Sequence, residues 1–242
     1  MSSIAYSYQN VTNKVGIIDL AHKGKIEIRG ADASQFVDYI LTNHAPKLYH
    51  KCSSLLLTPE GKIMSRMNVI HHDQTHGEFL LVTEPEYEHR DQRWIEFCAR
   101  DKGYQVEVHK VSDYLSALAI VGPKCRDVLA ELTLTDLSDE NLPHSSTKLI
   151  RIAGVPSIAV RTSETGELGY ELYHNRADSL KLYETLMKVG QKYGIVNFGA
   201  HIVNILRLEK GFKRWGPELS LDTNPYEADM MDIVKTEKVS PI

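Results

Sequence analysis

Two stretches of this chain, "CSSLLLTPEGKIMSRMNVIHH" beginning at Cys52 and "RTSETGELGYELYHN" from Arg161 to Asn175, each read as strand, turn, strand. That pattern constrains the fold most, because strands joined by a short connection pair antiparallel, whereas parallel neighbours need a long crossover. The first turns at "TPEG" (58–61), the second at the Gly-interrupted "SETGEL". "KGKIEIRG" (23–30), "GEFLLVTE", "YQVEVHKV", "SALAIVGP" and the segments 148–153 and 155–161 alternate as further strands. Helices fall between them. In "ADASQFVDYIL" Asp32 is placed to cap and Gln35 to complete a capping box. "PEYEHRDQRWIEFCARDKG" clusters Trp94, Ile95, Phe97 and Cys98 and stops at Gly103, and "PKCRDVLAEL" puts Pro123 at its first position. "RADSLKLYETLMKVGQKYG" lines Leu180, Tyr183, Leu186 and Met187 along one face. Antiparallel runs mixed with packed helices predict an α+β fold, and no GxGxxG follows a strand to suggest a dinucleotide-binding one.

The 242 residues suffice for one large domain or two modest ones, without internal repeats or low-complexity tracts. A formal charge of -4 and the lack of a basic patch exclude a general nucleic-acid binder. No apolar run approaches the length of a membrane span, and "MSSIAYSYQN" lacks the blocks of a signal peptide, so a soluble intracellular protein is expected. Cys52, Cys98 and Cys125 are widely spaced and read as buried free thiols. His71, His72, Asp73 and His76 have metal-ligand chemistry but sit in a polar turn before Gly77, so they read as solvated and no metal is expected.

The second hairpin carries the residue that points to chemistry. Alternation puts Leu168, Tyr170 and Leu172 on one face of its return strand and Gly169, Glu171 and Tyr173 on the other. A lone mid-strand carboxylate is ordinarily an edge residue in water. Here the glycine leaves room on the same face, tyrosines supply flat walls, and the opposite face is apolar. A carboxylate so placed suits a flat heterocycle bearing an amino group beside a ring N–H, which it would hold through two parallel hydrogen bonds.

"TGELGYELYH" resembles the folate-binding hairpin of the aminomethyltransferase (glycine-cleavage T-protein) family. The resemblance extends through "VGIIDLAHKGKIEIRGADA", "NFGAHIVNILRLEKGFKRWGPEL" and "DTNPYEAD". Within it the chain looks closest to the folate-binding region of dimethylglycine and sarcosine dehydrogenases, where a flavin domain oxidises an N-methyl group and the T-protein-like part passes the one-carbon unit to tetrahydrofolate. The resemblance implies a T-protein-like fold of two interleaved subdomains over 1–242, with a boundary near 46–115. It implies Glu171 as the pterin-binding glutamate, with Gly169, Tyr173, Glu164 and Trp215 around the folate. Glu164, seven residues before Glu171, stands where the family usually has tyrosine.

In "GKIMSRMNV" Arg66 stands where the family commonly has an acid that acts on the reacting amine and folate nitrogens. A guanidinium has no acceptor and cannot be a base, so the catalytic residue is left open, with His71 as the first substitute to test. Arg207 and Glu209 read either as a buried ion pair or as a substrate contact, and Trp215 as cleft wall or core. "DTNP" (222–225) reads as a turn.

No flavin domain precedes the segment, and the chain ends at Ile242 where the family continues into a C-terminal β-barrel. The expectation is a tetrahydrofolate-binding module for one-carbon transfer from an amine such as dimethylglycine or sarcosine. FAD enters only through a flavoprotein domain or subunit supplied elsewhere, and by resemblance the compartment is the mitochondrial matrix. Two alternatives stay open: a non-catalytic folate-binding or regulatory module, and a tetrahydrofolate-dependent demethylase of another methylated compound.

Overall fold

A computed structural model describes residues 3–73 and 77–238. In chain order its elements begin α1 (Ser3–Asn13), β1 (Val15–Asp19), β2 (Gly24–Arg29), α2 (Ala33–Ile40), β3 (His50–Leu57), β4 (Ile63–Asp73), β5 (Glu78–Thr83), α3 (Glu88–Lys102) and β6 (Glu107–Lys110). They continue β7 (Leu115–Val121), α4 (Cys125–Ala130), β8 (Thr147–Ile152), β9 (Val155–Arg161), β10 (Gly169–Asn175), α5 (Ser179–Gly190), β11 (Ile195–Asn197) and α6 (Ala200–Glu209). The chain divides into two compact units, Met1–Ala21 with Asp113–Phe212, and His22–Ser112 with Lys213–Ile242.

The first unit is a six-stranded sheet in the order β11-β1-β7-β10-β9-β8. β11 runs parallel to β1, and the other neighbours are antiparallel. The large alternating residues of β1, β7 and β10, among them Ile17, Leu118, Ile120, Tyr170 and Leu172, form one core with α4 and α5. The other face carries small residues at Gly16, Ala117 and Ala119. A side chain at Gly16 would strike Val11 of α1 and the Phe198 ring at 2.6 Å, so the glycine admits both to the sheet.

The second unit is a five-stranded antiparallel sheet in the order β3-β4-β5-β2-β6. One core joins Ile26, Ile28, Met67, Val69 and Phe79 to Phe36 and Ile40 of α2 and to Ile95 and Cys98 of α3. A smaller cluster packs Leu55, Leu57 and Ile63 against Leu219, Ala228 and Met230. In the DTNP turn Asn224 and Glu227 cap each other reciprocally, side chain to backbone N–H at 2.8 Å both ways.

The hairpins lie where alternation places them. Several local expectations give way to distant partners. Asp32 makes no side-chain cap to α2; its carboxylate accepts instead from the Gln105 N–H at 2.7 Å. Pro123 lies ahead of Lys124, the N-cap of α4, rather than at the first helical position. On α5 the buried residues are Leu182, Leu186 and Gly190, while Leu180 is exposed. Phe97 is likewise exposed on α3, whose buried apolar residues are Ile95, Cys98 and Ala99. The three cysteines are free thiols, and burial pushes Cys52 and Cys98 up to about 11 and Cys125 to about 12.

Candidate functional site

Glu171 stands on a central strand, not an edge: β10 lies between β7 and β9, with Ala119 and Val160 opposite Glu171. It is 3% exposed. The neighbouring residue on its face, Tyr173, donates its hydroxyl proton to Glu171 Oε2 at 2.6 Å. Burial first, then the charges of Glu171 and Glu164, pushes the Tyr173 hydroxyl well above its ordinary value. A phenol held neutral in this way remains a donor, so it fixes the carboxylate rather than competing with it as an anion.

Ala117 and Ala119 of β7 pair with Tyr173 and Glu171, so two bulky polar side chains lie on a floor of methyl groups. The alternation of Ala with Leu118 and Ile120 in "SALAIV" is the sequence signal for this face.

The other residues expected here divide. Glu164 lies in the loop between β9 and β10, close enough for its charge to act on Tyr173. Gly169 does not leave open room: a side chain there would meet Ser163 Cβ at 2.9 Å and Val121 Cγ2 at 3.3 Å. The protein's own atoms fill that space, so the glycine has a packing reason. Tyr170 is not a wall of the site either. It points into the first unit's core, where its hydroxyl donates to the Leu137 carbonyl and accepts from Arg126 Nε, both at 3.0 Å. Arg207 is buried, with Nε on Asn204 Oδ1 at 2.8 Å and Nη1 on the Phe212 carbonyl at 3.0 Å, while Glu209 accepts from the Tyr8 hydroxyl.

Trp215 and Arg66 belong to the second unit. Trp215 donates its indole N–H to the Ile63 carbonyl at 3.2 Å and meets the Tyr87 ring edge-on at 4.1 Å. Arg90 lies against both rings, at 4.4 and 4.9 Å from their centres. These contacts tie Trp215 to the second unit's own structure, and its side chain stays partly exposed. Arg66 is partly buried in mid-β4, paired with Leu55 of β3. The preceding residue, Ser65, points to the opposite face and donates to Asp91 at 2.7 Å. Asp91 also accepts from Thr83 at 2.6 Å and from Arg90 at 3.0 Å, so this fully buried carboxylate is a hub of the second unit's own structure.

His71 does not share the face of Arg66. Five positions from Arg66 along an unbroken register, it lies on the other face of β4. There its ring stacks on Phe79 at 4.1 Å, and Nδ1 lies 3.1 Å from the Pro46 carbonyl. His76 lies outside the described residues. Among the described residues no group of side chains is arranged to hold a metal ion, and no helix is long and apolar enough to cross a membrane.

The GCVT N-terminal domain matches residues 1–238. This chain belongs to that family. The GCVT domain is 44% identical to rat dimethylglycine dehydrogenase, mitochondrial, across 97% of this chain and 27% of that protein. It is 32% identical to the aminomethyltransferase of Thermoanaerobacter pseudethanolicus, across 98% of this chain and 63% of that one. The chain therefore spans about a quarter of the first relative and about three-fifths of the second. The glycine cleavage system aminomethyltransferase T of Bartonella henselae shares the fold, with a TM-score of 0.84 at 23% identity over 96% of this chain and 61% of that one. The α+β reading and the family resemblance both stand, and the GCVT domain is aminomethyltransferase-like and related to dimethylglycine dehydrogenase.

Proposed function

We propose that this domain binds tetrahydrofolate and, with it, accepts a one-carbon unit from an N-methyl amine such as dimethylglycine or sarcosine. The observation that carries the reading is the Glu171–Tyr173 pair: a buried carboxylate, held by a neutral phenol, on a floor of small side chains. Such a group fits the amino and ring N–H edge of a pterin, which offers two parallel donors to one carboxylate. Tetrahydrofolate, when bound, supplies the nucleophilic nitrogens for the one-carbon unit. This chain's part is to hold the pterin edge through Glu171 and to keep Tyr173 protonated beside it. Oxidation of the amine is assigned to a flavin domain or partner. The mitochondrial matrix is the compartment that accompanies this reading, since the dimethylglycine dehydrogenases matched are named as mitochondrial.

A second reading, a folate-binding module without transfer chemistry, is favoured by Arg66. No guanidinium accepts a proton at neutral pH, and Asp91 is engaged behind the opposite face of its strand. Calorimetry with tetrahydrofolate tests the shared part. Two charge-assisted bonds, at roughly 1.5–3 kcal/mol each before compensation, predict that Glu171→Ala weakens binding about 30- to 1000-fold. Equal affinities in two folded proteins would refute the assignment. A turnover assay with formaldehyde, tetrahydrofolate and N-methyl amines then separates the readings: transfer supports the first, tight binding without transfer the second.

A further inference from the structure

Arg66 is an anomaly in its own sheet. The other lysines and arginines of these five strands have acceptors: Lys25 on the Lys23 carbonyl, Arg29 on Glu107, Lys51 on Ser53 and Lys110 on Glu88. The Arg66 Nε is fully buried and has no hydrogen-bond partner among the described residues. An unmet buried donor is costly, and a guanidinium cannot escape the cost by losing its proton. That N–H needs an acceptor, and a guanidinium offers Nε–H and Nη–H side by side to a group with two oxygens.

The surroundings say which acceptor. Asn68, two residues along, lies on the same face of β4, with its Cα roughly 7 Å from that of Arg66. Ser53, its β3 neighbour, donates to Asn68 Oδ1 at 3.0 Å, so the amide's NH2 is the group Asn68 has to offer. The paired residues Leu55 and Val82 are apolar, and the lysines of this face are directed elsewhere, Lys51 to the Ser53 hydroxyl at 3.3 Å and Lys25 to the Lys23 carbonyl at 2.8 Å. A planar guanidinium beside a neutral amide donor suits a planar acceptor with two oxygens, a carboxylate.

We propose that Arg66, with Asn68, forms a carboxylate-binding site, so that the strand position usually held by an acid here recognises one. Where the family's acid would repel a substrate carboxylate, this chain attracts it. The inference rests on the proposed folate and amine reading for the choice of ligand. Two sources share the chemistry: the carboxylate of a small N-methylated amino acid, and the glutamyl tail of a folate.

The test uses the chain as it stands and needs no turnover. N,N-dimethylglycine is titrated into wild type while the Arg66 Nε–H resonance is followed by NMR, with N,N-dimethylethanolamine, the same amine without a carboxylate, as the control. In parallel, calorimetry compares wild type, Arg66→Gln and Arg66→Lys for N,N-dimethylglycine, tetrahydrofolate and 6-methyltetrahydropterin, which lacks the tail. A dimethylglycine-specific shift of Arg66, with affinity falling roughly 10- to 100-fold in Arg66→Gln, establishes the amino-acid source. A similar loss for tetrahydrofolate but not for the methylpterin establishes the glutamyl source. If no carboxylate ligand depends on Arg66 by either readout, the proposal is overturned. Failure of tetrahydrofolate to bind wild type at all refutes the folate reading while leaving the dimethylglycine arm to decide this one.

Discussion

Replacing Gly169 by alanine adds one methyl group, and the packing around it fixes the outcome. That carbon would lie 2.9 Å from Ser163 Cβ and 3.3 Å from both the Thr162 carbonyl oxygen and Val121 Cγ2. The loop must give by several tenths of an ångström, yet Ser163 is tied into it through Thr165, hydroxyl to hydroxyl at 2.6 Å. Overpacking of this kind costs about 1–3 kcal/mol, while lower chain entropy and better strand propensity return about 0.5–1 kcal/mol. Gly169→Ala is therefore expected to destabilise by roughly 0.5–2 kcal/mol, and Gly169→Val by more. At about 2–4 °C per kcal/mol for a chain of this size, the alanine variant should melt roughly 1–8 °C lower. Ser163→Gly removes the nearest obstructing carbon, so the alanine should cost less in that background, with a coupling above the ~0.5 kcal/mol that independent sites show. Thermal melts of the four proteins in the cycle decide it. If Gly169→Ala melts at or above wild type and the cycle shows no coupling, the space is not filled as described.

Two further predictions concern pH. Because the folded Tyr173 titrates above its unfolded value, its contribution is complete below about pH 10 and declines as pH rises beyond it. Tyr173→Phe should flatten that alkaline decline, and should cost about 1.5–3 kcal/mol at neutral pH by removing a donor from Glu171; melts from pH 7 to 11 measure both. For Glu84, burial opposes the charge, but Lys23 at 2.9 Å and the Arg214 fork at 2.7 Å outweigh it and hold the carboxyl below its usual range. Its stabilisation is thus present above about pH 4.5 and lost as pH falls through the lower folded value. Glu84→Gln should lose stability at pH 7 and converge on wild type in acid; a constant difference across pH 2–7 would contradict this.

What could be read from sequence was local. Alternation and turn residues are carried by neighbouring positions, so both hairpins and the two faces of β10 were legible, and the family resemblance followed from them. What failed depended on partners far along the chain. The rank of β10 within its sheet is set by pairing with β7, some fifty residues earlier, so Glu171 could not be told from an edge residue. Asp32 matches a capping box, yet its acceptor role goes to Gln105. Gly169 showed that something needed room but not what, and Ser163 supplies the answer. His71 and Arg66 are five positions apart on an unbroken stretch of β4, which puts them on opposite faces.

The interleaving of the two units bears on how the chain is made. β1 takes its antiparallel neighbour from residues 115–121 and its parallel neighbour from residues 195–197. A ribosome must therefore finish the whole first segment of the second unit before β1 has any partner, and must pass Asn197 before both its edges are covered. The second unit waits in turn for its own return segment, which brings Leu219 and Met230 to Leu55 and Ile63. Neither unit can complete itself from the amino end outward. Contacts of such long sequence separation fold slowly, and strand edges exposed meanwhile invite association. Nascent chains halted between residues 113 and 195 should thus depend on chaperones far more than the finished chain.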